Sequence, residues 1–155
     1  MPQVASKKLL QEITGIFARQ LAETFVDCWQ TRASLGAEWS KLRQDLTVRH
    51  LNRLGRRLQH LGEPPELKLD FTASAQRSEA DLLKSALKSE AALINLLRMA
   101  IPQLHACRDW GSEDLVKMLL HEREELVQQI ETDSDPILEH LWDDEGLSMS
   151  PQSIH

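Results

Sequence analysis

The sequence predicts an all-α four-helix bundle, and three observations carry that prediction. Apolar residues recur at three- and four-residue spacing through four long stretches. Alternating runs rich in Val, Ile and Thr are missing, which leaves no material for a sheet. Only six Gly and six Pro are spread over the 155 residues, so the long stretches are seldom interrupted. At 41% hydrophobic and 27% charged residues, a chain of this length can bury one good core, and a single domain is expected.

The first stripe comprises Leu9, Ile13, Phe17, Leu21, Phe25, Cys28 and Trp29, and predicts a helix from Ala5 to about Ser34 that Gly36 breaks. The second runs Trp39, Leu42, Leu46, His50, Leu54, Leu58, Leu61 before Gly62, Pro64 and Pro65 stop it, because proline cannot continue a helix and glycine terminates one readily. A polar connection from Glu63 to Arg77 is long for neighbours in an up-and-down bundle, and is expected to cross the length of the bundle. Ser78, with Asp81 three residues on, resembles a capping box and opens a third helix along Leu83, Leu87, Glu90, Ile94, Leu97, Ile101 and Leu104. Pro102 lies inside it and is expected to kink it. Gly111 is expected to end that helix and Ser112 to cap a fourth, marked by Leu115, Met118, Leu119, Glu122, Leu126 and Ile130. Asp135-Pro136 then suits the start of a short fifth helix through about Trp142, giving a bundle over residues 1–142 and a polar tail over 143–155. Two hairpins of long helices joined by one long crossover are the ferritin-like version of the four-helix bundle.

Composition excludes several functions. The formal net charge is −6, with acids and bases interspersed, so no broad nucleic-acid face is expected. The longest apolar stretch, Ala91 to Ile101, is shorter than a membrane span and is interrupted by Asn95 and Arg98. Lys7 and Lys8 precede no continuous apolar region, so a signal peptide is not expected. Cys28 and Cys107 are isolated, which suits buried thiols in a reducing cytosol, and a cytoplasmic location follows as the expectation. No Gly-rich phosphate loop, G-x-S-x-G elbow or Cys-x-x-Cys pair supports a nucleotide, hydrolase or zinc reading.

The chemistry lies in residues that interrupt the apolar stripes. His50, Glu90 and Glu122 each fall where the spacing demands a core residue, and Gln20 takes a similar place beside Phe17 and Thr24. A buried carboxylate must pair with a base, share a proton or coordinate a cation, and iron accepts carboxylate oxygen and imidazole nitrogen together. Against this stands an ordinary reading of each residue. A lone histidine on a stripe is usually a hydrogen-bonded core residue, Glu90 could pair with Lys88 or Arg98 near the surface, and a solvated charged face of Arg123, Glu124 and Glu125 is the default around Glu122. His60, His105, His121 and His140 read as surface or boundary residues. The four tryptophans, Trp29, Trp39, Trp110 and Trp142, read as core and interface packing.

Two segments resemble the bacterioferritin family, and the likeness spans most of the chain. "TVRHLNRLGRRLQHLGEPPEL" is similar to the part of that family in which an E-x-x-H ligand pair precedes a helix ending Leu-x-Gly-x-Pro. "RMAIPQLHACRDWGSEDLVKMLLHEREELVQQIET" looks like the turn between its third and fourth helices, with Arg108-Asp109-Trp110 where Arg-Asp-Tyr is usual. The resemblance implies a di-iron centre, with one Glu on the first helix, E-x-x-H on the second, one Glu on the third and E-x-x-H on the fourth. Carried over by position, these ligands fall at Gln20, at Thr47 and His50, at Glu90, and at Glu122 and Glu125. Gln20 is neutral, Thr47 removes a bridging carboxylate, and Glu125 stands in place of an imidazole. One metal held by His50, Glu90, Glu122 and Glu125 is the set that survives. Haem-binding members carry Met next to the bridging Glu, where this chain has Val48, so haem is not expected.

The resemblance therefore implies a ferritin-like subunit of an iron storage or detoxification shell, with iron as the cofactor and ferroxidase activity impaired or absent. The competing expectation is a non-catalytic structural or partner-binding subunit that co-assembles with a competent ferritin. Either implies a homo- or hetero-oligomer of ferritin-like subunits, with no nucleic acid or membrane partner.

Overall fold

The computed structural model describes residues 2–31, 38–71 and 77–134. Among them the chain is helical and without strands, folded as α1 (Pro2–Thr31), α2 (Glu38–His60), α3 (Glu79–Ala106) and α4 (Trp110–Asp133). No described helix is long and apolar enough to cross a membrane. The expected helix break at Gly36, the fifth helix from Asp135 to Trp142 and the tail beyond it lie outside the described residues.

Side-chain contacts fix the directions. The hydroxyls of Thr31 and Ser40 share a hydrogen bond at 3.1 Å where α1 leaves and α2 enters. Gln11, near the other end of α1, donates to the Pro64 carbonyl just beyond α2. α3 runs against α1: Ser6 meets Asp109, Gln20 meets Ser89, and Asp27 meets Arg77 just before α3 begins. α4 returns along α3, bringing Arg123 to Glu90 and Glu113 to His105. α2 thus ends beside the α3–α4 turn, where Arg57 bonds Asp109 and Ser112, whereas α3 begins at the opposite end of the molecule.

The helix ends have local causes. Past α2, Gly62 takes φ +80°, a conformation that favours glycine, and the Glu63 N–H closes the helix on the Leu58 carbonyl at 2.9 Å. Ser78 caps α3, as expected, its hydroxyl accepting from the Asp81 N–H. The α3–α4 break differs from the sequence expectation. α3 runs through Pro102 to Ala106, Arg108 takes φ +57°, and Asp109 caps α4 through the Ser112 N–H. Gly111 and Ser112 lie inside α4 as a result. The aspartate wins the cap because its carboxylate also collects the hydroxyls of Ser6 and Ser112 and the guanidinium of Arg57. These hydrogen bonds outweigh the effect of burial and hold its carboxyl down at about 2.

The buried apolar residues fall into two clusters. One gathers Leu10, Ile13, Phe17, Leu54, Leu58, Leu97 and Leu104 with neighbours from all four helices. The other gathers Trp39, Leu46, Leu82, Leu83, Leu126 and Ile130. Of the four tryptophans only Trp39 is shown to be core. Trp29 and Trp110 are 54% and 53% exposed, and Trp142 is outside the described residues. Between the clusters every helix places polar residues, and the candidate site lies in that layer.

Candidate functional site

The layer follows from helical register. On α2 it falls between Leu46 and Leu51, on α3 between Ala86 and Leu93, and on α4 between Leu119 and Leu126. Its members include Thr47, His50, Glu90 and Arg123, each with essentially no exposed surface, together with Gln20 at 3%, and Arg43, at 1% and just before Leu46 on α2, reaches into it. The two arginines were not anticipated, and they organise the rest.

Arg123 stands at the centre. Its Nε donates to His50 Nδ1 at 3.1 Å, one terminal nitrogen to Glu90 Oε1 at 2.9 Å, and the other to Thr47 Oγ1 at 2.9 Å. Its guanidinium carbon also lies 4.9 Å from the centre of the Phe17 ring, a cation–π contact. Arg43 approaches from the other side, with Nε donating to the same Glu90 Oε1 at 2.8 Å and Nη1 to Asp27 Oδ2 at 3.3 Å. Glu90 is therefore the anion of a buried Arg–Glu–Arg triad.

This arrangement fixes the histidine. An arginine can only donate, so His50 Nδ1 must accept and the ring proton sits on Nε2. From there it donates to Glu122 Oε2 at 2.5 Å. Burial, with the adjacent Arg123 charge, pushes the imidazole down to about 4, although Glu122 pulls the other way. Burial also brings Arg123 down to about 10, against the favourable pull of Glu90. Burial alone would raise Glu122, but hydrogen bonds from His50 and Arg53 prevail and its carboxyl lies below the ordinary range. Asp27 goes the other way, pushed up by burial against the pull of Arg43 and Arg77.

The four residues expected to hold metal are thus brought together only in part. His50 has both nitrogens engaged, Glu90 Oε1 is taken by two guanidiniums, and Glu122 is shared by His50 and Arg53. Glu125 points elsewhere: it is 63% exposed and pairs with exposed His121 one turn away at 2.8 Å. Of the positions departing from the bacterioferritin pattern, Gln20 Nε2 donates to Ser89 Oγ at 3.1 Å, Thr47 donates to the Arg43 carbonyl, and Val48 is 38% exposed. Among the described residues no group of three His, Cys, Asp or Glu side chains converges on a point where an ion could sit. The donor set fits iron poorly, because guanidiniums already bond His50, Glu90 Oε1 and Glu122 and Glu125 lies apart, which leaves Glu90 Oε2 as the buried carboxylate oxygen of the set without a partner among the described residues.

No protein-family model matches the chain, and no curated protein matches it either.

Proposed function

We propose that the chain is a ferritin-like bundle whose interior carries an arginine network where relatives of that kind hold iron, and that it serves as a non-catalytic structural or partner-binding subunit. The single observation supporting this is Arg123, fully buried and bonded at once to His50, Glu90 and Thr47. Three of the six positions implied for the di-iron ligands are thereby satisfied by a protein cation.

The ferritin-like assignment rests on the helix order and on the connection after α2, read as the long crossover of two antiparallel hairpins. Gln11, Phe25 and Trp29 of α1 carry contacts to Pro64, Glu66 and Phe71 of that connection, as a strand of chain climbing along α1 would make. Any part in iron handling would then come through an assembly with competent subunits, without an oxidation step in this bundle.

Stopped-flow oxidation of Fe(II) in air tests the catalytic half of the proposal. Background-rate oxidation, unchanged in His50→Ala, is expected; a fast phase lost in that variant would overturn it. Native mass spectrometry after co-expression with a competent ferritin tests the partner half. Mixed oligomers are expected, and a closed homo-oligomer that excludes the second subunit would sink it.

A further inference from the structure

The arginine network leaves one buried donor unused. Arg43 spends Nε on Glu90 and Nη1 on Asp27, but Nη2, in a side chain only 1% exposed, has no hydrogen-bond partner among the described residues. A carboxylate oxygen, Glu23 Oε2, lies 3.8 Å away, beyond hydrogen-bond reach. A buried charged donor left unmade costs more than a neutral one, so this atom calls for an acceptor.

Arg43 lines a cleft of about 430 Å³ between α1 and the start of α3, bordered also by Arg77, Lys88, Ser85, Glu23 and Asp27. Arg77 repeats the pattern. Its Nη2 lies 3.7 Å from Asp27 Oδ1, while its buried Nε has no partner among the described residues. Asp27 lies against both Nη1 of Arg43 and Nη2 of Arg77, Glu23 stays 3.8 Å from Arg43 Nη2, and three cations line the cleft against these two carboxylates.

We propose that this cleft binds a small oxyanion, a phosphate or a carboxylate group, on Arg43 Nη2, Arg77 Nε and Lys88. Guanidinium forks suit such planar or tetrahedral oxygen groups, and hydrogen bonds between charged partners are the strong kind. The cleft volume admits a phosphate or a small dicarboxylate with some water. This site is independent of the subunit role proposed above, since it uses Arg43 Nη2, which takes no part in the bonds to Glu90 and Asp27, and none of the Arg123 contacts.

The test is thermal unfolding of the full chain against rising inorganic phosphate, or succinate, with chloride holding ionic strength constant. A saturable rise in Tm with phosphate or with succinate supports the site and tells which oxygen group it takes. Arg77→Gln and Lys88→Ala are each expected to weaken the apparent affinity about tenfold, the loss of one charge-assisted contact, while leaving Tm in chloride alone near the parent value. Lys7→Ala/Lys8→Ala, which removes a separate basic pair near the start of α1, is expected to change nothing. Curves identical in phosphate, succinate and chloride would overturn the proposal, leaving a cleft that holds water only. So would a response that survives Arg77→Gln and Lys88→Ala but disappears with the Lys7 and Lys8 changes.

Discussion

Acid stability offers the sharpest test of the His50 network. In the unfolded chain the imidazole titrates at its ordinary value of 6.5, and in the folded chain only at about 4. Above pH 6.5 it is neutral in both states and adds no slope. Between 6.5 and 4 the unfolded chain holds a proton that the folded chain does not, so stability falls as the pH is lowered, at up to about 1.4 kcal/mol per pH unit. The whole window costs about 3 kcal/mol, a large share of the stability of a domain this size. Glu122, whose carboxyl is held down, adds to the loss toward acid, and Asp27, whose carboxyl is pushed up, works against it, so the imidazole's share is read as the difference between the parent and a His50 variant. His50→Gln removes the titration while keeping an acceptor for Arg123 and a donor for Glu122. Urea unfolding at intervals from pH 5 to 7 should show the parent losing stability toward acid and the variant losing much less. Parallel profiles would refute the buried neutral histidine.

Other changes test neighbouring parts of the structure. Arg123→Met leaves Glu90 and His50 short of a buried partner and should cost about 3–5 kcal/mol in chemical unfolding. The triple change Arg43→Met, Glu90→Leu, Arg123→Met removes the triad together and should recover most of that loss, because a matched apolar set replaces a desolvated one; a triple variant weaker than the single would refute this account. Asp109→Ala strips the α4 cap and its bonds to Ser6, Ser112 and Arg57, and should lower stability by about 2 kcal/mol, read as a drop in Tm. Glu125→Ala should stay within about 0.5 kcal/mol of the parent, since its only described partner is exposed His121; a larger loss would place Glu125 in the interior.

The helices were legible because their signals are local. Apolar spacing marked all four stripes, and Ser78 declared its own cap. The α3–α4 boundary was misplaced because Gly111 is a strong stop by propensity, whereas Asp109 gains its cap from residues as distant as Ser6 and Arg57. The polar layer was found at His50 and Glu90, yet its two arginines were missed. The signal was present: Leu119, Arg123, Leu126 and Ile130 form an unbroken three-and-four series, as do Trp39, Arg43, Leu46 and His50. Arg123 was instead grouped with Glu124 and Glu125 as a solvated face, because arginine is rarely fully buried without partners. Those partners lie on α2 and α3, and no spacing within α4 reveals them.

Electrostatics explains why such a layer and a metal layer exclude each other. A pair of divalent ions inside a bundle needs several carboxylates to balance it. Here the positions given over to Gln20 and Thr47 are neutral, and Glu90 and Asp27 already face Arg43 and Arg123. At about 4 Å, a divalent ion beside a guanidinium would meet repulsion of order 8 kcal/mol even at an effective dielectric of about 20. Nor can Arg123 readily step aside, since its head group is held by three helices' worth of partners: Phe17 on α1, Thr47 and His50 on α2, and Glu90 on α3. A buried arginine and a metal ion therefore compete for the same carboxylates. Here Glu90 and Asp27 are set against Arg43 and Arg123, so the buried charges of the layer are met by protein side chains.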